Sequence, residues 1–226
     1  MTAGGEFCHA FLLHTRPYKE RSRLVDLWTL EQGRVSAVGR ASVPLFQPCL
    51  VRWRGRSTLK TMTHCEQAGL PLSLHGEALF AGFYLNELLV RLLPPDEAHP
   101  TLFANYSGLL GTLGVRATLE PGLREFEKQL LAAMGYGITF DQDDDGHPLQ
   151  AGQYYRFEPG TGMVACAEGW TADILQAIAV ADYARDETRM AARQIMRRAL
   201  AEHLGDKPLK SRELWMRTKN EHSAGR

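Results

Sequence analysis

Between residues 7 and 66, apolar and polar positions alternate in short runs broken by turn residues, and this alternation predicts five β-strands. In the first, over 7–15, Phe7, His9, Phe11 and Leu13 share one face and Cys8, Ala10 and Leu12 the other, and Pro17 ends it. Strands over 22–30, 34–39, 48–54 and 58–66 follow, with Gly33 and Gly55 at the hairpin turns. So many short strands in so little chain predict a closed barrel, because closure removes the edges a small sheet cannot otherwise protect.

Beyond Pro71 the period lengthens. Over 76–93, Leu79, Phe80, Phe83, Tyr84, Leu88 and Leu92 recur at helical spacing, and Pro94-Pro95 stops the run. Helices are expected over 102–113 and over 121–134, the latter with Pro121 in its first turn and Gly135 past its end. Residues 141–169 are polar and Gly-rich, with a short hairpin of 154–157 against 163–166. Helices over 171–184 and 187–204 follow, Gly205 closing the second, then a short one over 211–218 and a frayed tail over 221–226. The expectation is an α+β chain: a barrel domain over 1–72 and a helical domain over 73–226, with 141–169 as an insertion.

Charge changes the picture. The chain carries 26 Lys/Arg against 26 Asp/Glu, yet the ends are basic (10 against 4 over 1–60, 10 against 6 over 186–226) and the middle acidic (6 against 16). A polyanion responds to local potential within about 10 Å, not to the whole-chain sum, so two basic ends brought together could form one DNA surface. Arg52 and Arg54 alternate with Val51 and Trp53, which points both guanidinium groups out of one strand face. Lys60 extends the patch on the paired strand, with Arg56 in the turn between, and Arg34 and Arg40 flank the neighbouring hairpin. Arg189, Arg193 and Arg197 line one side of the long helix, with Lys207, Lys210 and Arg212 downstream. The competing reading is a solvated surface. Among the aromatics, Tyr18 is the exposed stacking candidate, while Phe11, Trp28 and Trp53 read as core.

No apolar run approaches the roughly 20 residues a bilayer needs, and the chain reads as cytoplasmic. Nothing reads as an active site: HExxH, GxSxG, a P-loop and GxGxxG are all missing, and Glu125 and Glu127 point to different helix faces. Asp141, Asp143, Asp145 and Gly146 match half of a calcium loop, but its twelfth position is Gly152, so the cluster reads as an acidic turn. Cys8, Cys49, Cys65 and Cys166 are too far apart for a zinc or redox motif, so no metal or cofactor is expected.

Ala10-Phe11-Leu12-Leu13-His14-Thr15-Arg16-Pro17-Tyr18 resembles the opening strand and turn of the RecO family of bacterial recombination mediators. Gly33-Arg34-Val35, Arg54-Gly55-Arg56 with Leu59-Lys60-Thr61, and Gly82-Phe83-Tyr84-Leu85-Asn86-Glu87-Leu88-Leu89 continue the match in order. So do Leu123-Arg124-Glu125-Phe126-Glu127, Met134-Gly135-Tyr136-Gly137, and Lys207-Pro208-Leu209-Lys210-Ser211-Arg212-Glu213-Leu214. The resemblance implies an N-terminal OB-fold and a helical C-terminal domain. It also implies binding of single- and double-stranded DNA in the nucleoid, annealing of complementary strands, and cooperation with RecR to load RecA onto DNA coated by single-strand-binding protein (SSB). The expected DNA-binding set is Arg16, Arg34, Arg40, Arg52, Arg54, Arg56, Lys60, Arg193, Arg197, Lys207, Lys210 and Arg212. The acidic, Phe-terminated SSB tail is expected on Arg124, Lys128, Leu131 and Met134, which recur at spacings of three and four.

Two departures stand out: only Cys166 falls where some members carry a zinc cluster, and the family's long basic loop is reduced to the residues around 40–44. Two further classes remain open, a protein-interaction scaffold whose cations serve solubility and an RNA-binding OB protein. A steep salt dependence of oligonucleotide binding separates DNA binding from a scaffold.

Overall fold

The computed structural model describes residues 6–20, 22–40, 44–55, 57–70 and 72–224, with side chains through residue 218. Arg56 and residues 41–43 of the shortened loop lie outside the described residues.

The alternating N-terminal runs form β1 (Cys8–Tyr18), β2 (Ser22–Thr29), β3 (Gly33–Gly39), β4 (Pro48–Arg54) and β5 (Leu59–Gln67), closed in the order β1-β2-β3-β5-β4. Antiparallel pairings with a parallel β3–β5 contact make this the OB-fold barrel. Ala10, Leu12, Val25, Leu27, Val35, Ala37, Cys49, Val51 and Trp53 fill its interior. β1 does not stop at Pro17; it runs to Tyr18, with Pro17 opposite Arg23, because proline is tolerated where the pairing is about to end.

Strict alternation along β1 also fails at one point. The register slips between Leu12, opposite Leu27, and His14, opposite Asp26, which leaves Leu13 as an extra, bulged residue. Leu12 faces the interior, so unbroken alternation would turn Arg16 inward; the bulge turns it outward, opposite Leu24. A second slip, between Arg52 and Trp53, does the same on the partner strand β5, where Thr63 is the extra residue and donates its hydroxyl to the Arg52 carbonyl at 3.1 Å.

The helical part comprises α1 (Gly76–Leu92), α2 (Pro100–Thr112), α3 (Arg116–Ala133), α4 (Ala172–Ala179), α5 (Asp186–Leu204) and α6 (Lys210–Ala224). A small sheet in the order β7-β6-β8 joins β6 (Tyr154–Glu158), β7 (Gly162–Cys166) and β8 (Trp170–Thr171). The hairpin was expected; β8 is too short to carry a period. α3 starts five residues before Pro121, which therefore lies inside the helix. Its missing N–H leaves the Ala117 carbonyl without the usual partner, and Ala117 is exposed, where solvent can serve that carbonyl. α4 ends at Ala179, not near 184, because Ala181 takes a left-handed conformation (φ 58°). The expected frayed tail is instead the continuation of α6 to Ala224.

The chain forms two compact units. One comprises 1–114 with 208–226, so that α1, α2 and α6 group with the barrel; the other is 115–207. In the first, Phe11 and Trp28 on the outer face of β1–β2 pack against Phe103 and Tyr106 of α2, ring centroids 5.1–5.4 Å apart. The Asn86 amide of α1 donates to the bulged Leu13 carbonyl at 2.9 Å and accepts from the Tyr106 hydroxyl at 2.5 Å. The segment after α1 runs beside β3: Arg34 Nε donates to the Leu93 carbonyl (3.0 Å) and Asp96 N–H to the Arg34 carbonyl (2.9 Å). Gly33, at φ +71°, is required there, since a Cβ would fall 1.8 Å from the Glu97 carbonyl oxygen.

Glu87, next to Asn86, caps α6. Its carboxylate accepts from the backbone N–H groups of Lys210 and Ser211, each at 2.9 Å, and from the Ser211 hydroxyl at 2.7 Å. A carboxylate there satisfies orphan donors and meets the positive end of the helix dipole. Glu87→Ala should therefore cost about 1–2 kcal/mol and speed proteolytic cleavage within α6, as timed digestion of both proteins would show.

Candidate nucleic-acid interface

Register partners place the barrel's cations in rows. Arg16 faces Leu24, Leu24 faces Val38, Val38 faces Thr61 and Thr61 faces Arg54, one row crossing β1, β2, β3, β5 and β4. Directly paired residues share a face, and this row is the outer one: Arg16, Thr61 and Arg54 are exposed, Leu24 and Val38 half-buried. Four strand spacings separate its ends, an arc of about 19 Å. Arg40, exposed, follows Gly39, which pairs with Arg23 near the β1–β2 hairpin. Arg16, Arg40 and Arg54 have no ion pair among the described residues. α1 and α2 cover the opposite end of β1–β2, around Phe11 and Trp28, and leave this end open.

Arg52 lies in the next outer row. It pairs with His64 on β5, and its guanidinium sits 4.8 Å from the ring centroid of Phe7, the residue before Cys8. Burial alternates as expected, Val51 and Trp53 inside and Arg52 and Arg54 outside. Two further barrel cations are committed to the fold. Lys60 pairs with Asp96 at 2.7 Å and is only 11% exposed, and Arg34 holds the end of α1 through Leu93. Each partner is more than 30 residues distant in sequence, beyond any local pattern. Arg23, not singled out from the sequence, is exposed at the same barrel end and donates to the Thr15 hydroxyl at 2.8 Å. Tyr18 is half-buried, with the Lys19 ammonium 5.4 Å from its ring.

The C-terminal cations divide likewise. Lys210 and Arg212 are exposed on α6 in the first unit, and Lys207 is exposed at the end of the second. On α5, Arg189 donates to the Ala184 carbonyl (2.9 Å) and Arg193 to Glu120 (2.8 Å), while Arg197 and Arg198 are exposed. The continuous stripe seen in the sequence is thus interrupted by two internal partners.

α3 presents a similar contrast. Arg124 contacts Glu127, whose side chain is 0% exposed, at 2.9 Å. Lys128 pairs with Glu125 at 2.8 Å and donates to the carbonyls of Ile178 and Ala179 at the end of α4. Leu131 is buried and Met134 half-buried. Burial, followed by the neighbouring Glu125 charge, pushes the Tyr183 hydroxyl well above its usual range. Both cations therefore already serve carboxylates and carbonyls of their own unit.

The acidic turn is held by Asp143 Oδ1, which accepts from the N–H groups of Asp145 (3.1 Å) and His147 (2.8 Å), with Gly146 at φ +80°. Among the described residues no three His, Cys, Asp or Glu side chains gather as a metal site, and no helix is long and apolar enough to cross a membrane. Burial and the Glu31 charge push the Cys8 thiol up to about 11, and a hydrogen bond with Cys65, then burial, raises Cys49 further. Buried thiols so shifted are poor nucleophiles.

Residues 74–213 match the family model described as "Recombination protein O C terminal". The chain is 47% identical to the DNA repair protein RecO of Stutzerimonas stutzeri (strain A1501), with 93% of each chain covered. It is 43% identical to the DNA repair protein RecO of Pseudomonas aeruginosa (strain UCBPP-PA14), covering 92% of this chain and 94% of the relative. With the DNA repair protein RecO of Haemophilus influenzae (strain ATCC 51907 / DSM 11121 / KW20 / Rd) it shares 40% identity over 93% of this chain and 95% of that one.

Proposed function

Because the chain belongs to the RecO family of DNA repair and recombination proteins, we propose that it acts as a non-enzymatic mediator that binds DNA along the open outer face of its barrel. The observation that carries this reading is the outer row from Arg16 to Arg54, with Arg40 beside it: three guanidinium groups without internal partners among the described residues, on the outer face of a closed barrel. Between them lie Leu24, Val38 and Thr61, none of which bears a charge that would repel a phosphate backbone. Exposed Arg23, Lys210 and Arg212 and half-buried Arg52 are the next contributors; Arg193 and Arg197 belong to the second unit.

Annealing follows from this mode of contact. Guanidinium groups holding phosphates leave the Watson–Crick edges of the bases unread, so a bound strand stays competent to pair with a complement. Neutralising phosphates also lowers the repulsion between two approaching strands. Cooperation with RecR, and through it the loading of RecA onto SSB-coated DNA, completes the proposed role. The SSB tail, if it docks on α3, has half-buried Met134 to engage, and must compete with Glu127 and Glu125 for Arg124 and Lys128.

A gel-shift salt titration between about 50 and 200 mM tests the reading, using wild type and the Arg16→Ala/Arg40→Ala/Arg54→Ala variant. For a single strand the variant should lose about 0.7 of log–log salt slope per arginine, roughly two units in all. Equal slopes for both proteins would favour a scaffold instead.

A further inference from the structure

At one end of this basic path stands an aromatic ring that the sequence pattern did not single out. Phe7 is 46% exposed although it is a large apolar side chain at the mouth of a strand. Its ring is held in place: the His64 ring packs edge-on at 5.1 Å, perpendicular to it, and the Arg52 guanidinium lies 4.8 Å from its centroid. Arg52 Nε is buried and has no hydrogen-bond partner among the described residues. Phe7, just before β1, thus lies against Arg52, which pairs with His64 of β5 and stands two residues along β4 from Arg54.

Resting on the DNA-binding reading above, we propose that Phe7 is a stacking platform for a nucleobase of single-stranded DNA, the element by which this barrel prefers unpaired strands over duplex. The chemistry is complementary on two counts. An exposed ring with a guanidinium against it fits a flat apolar base carried on an anionic backbone, because that guanidinium extends the stack while it offers donors to a phosphate. A duplex keeps its bases stacked on each other and presents only phosphates to the row, so it gains nothing from the ring.

The test compares wild type, Phe7→Ala, Phe7→Leu and Phe7→Trp by fluorescence anisotropy on labelled oligothymidylate and on a duplex of equal length, after circular dichroism has shown that each is folded. Phe7→Leu keeps an apolar side chain beneath Arg52 without the π-face. Alanine and leucine should each weaken single-strand binding by roughly 5- to 100-fold while duplex affinity stays within about twofold and the salt slope is unchanged. Phe7→Trp should restore single-strand binding, its added indole emission being quenched by oligothymidylate. Single-strand binding by the leucine variant equal to wild type, or equal losses on single strand and duplex, would overturn the platform. Absence of DNA binding by wild type itself, or an Arg16/Arg40/Arg54 variant with unaltered salt slope, would overturn the mediator reading instead, so the two failures are distinct.

Discussion

Replacing Asn86 with leucine should lower unfolding free energy by about 4 kcal/mol and also weaken DNA binding, although Asn86 is buried and out of reach of any ligand. The amide serves two groups that have lost contact with water, the bulged Leu13 carbonyl and the Tyr106 hydroxyl. Leucine fills the space but withdraws this hydrogen bond from both, and losing such a bond from a buried group costs about 1–3 kcal/mol. The functional effect follows from the bulge. Pinning Leu13 sets the register that turns Arg16 outward, so loosening it should reduce single-strand affinity about as much as Arg16→Ala does. Urea unfolding followed by tryptophan fluorescence gives the stability, and anisotropy at a temperature where the variant is folded gives the affinity. Tyr106→Phe removes only the second bond and should cost less, about 1–2 kcal/mol, with affinity retained. An Asn86→Leu midpoint within error of wild type would show that the bulge holds without its clamp.

Arg124→Met should be comparably damaging, about 3–5 kcal/mol, because it withdraws the cation from a carboxylate with no solvent exposure. The second change Glu127→Leu should restore most of the loss, since a well-packed apolar pair replaces a buried ion pair at little cost. Denaturation of both variants at pH 7 measures this; an Arg124→Met loss not rescued by Glu127→Leu would show that the ion pair is not its cause. The result bears on any SSB-tail assay, because altered peptide binding by Arg124 or Lys128 variants is interpretable only if their unit remains folded.

Much of the site was legible in advance. β4 was placed to the residue, and the outward projection of Arg52 and Arg54 follows from period two alone. Arg16 entered through its resemblance to a family motif; plain alternation would have turned it inward, and only the bulge corrects this. Period two places Phe7 only on a strand face with His9, Phe11 and Leu13; its 46% exposure and its Arg52 neighbour are visible only in the fold. Lys60 looked as free as Arg54, and only Asp96 distinguishes them. The match at 82–89 and that at 207–214 gain a joint cause, since Glu87 of the first caps the helix that begins in the second.

The sequence by itself determined the kinds and order of elements, the inner and outer faces of the strands away from bulges, and the basic character of both ends. These properties repeat every two or every 3.6 residues, or add up residue by residue, so they can be read locally. Tertiary structure alone decided the Leu13 bulge, the helical cover over half of β1–β2, and the division of cations into those left to solvent and those held by Asp96, Leu93, Glu127 or Glu120. Each of those outcomes depends on which distant or misregistered group satisfies a buried donor or charge. That choice is made when the chain closes on itself, and no local period encodes it.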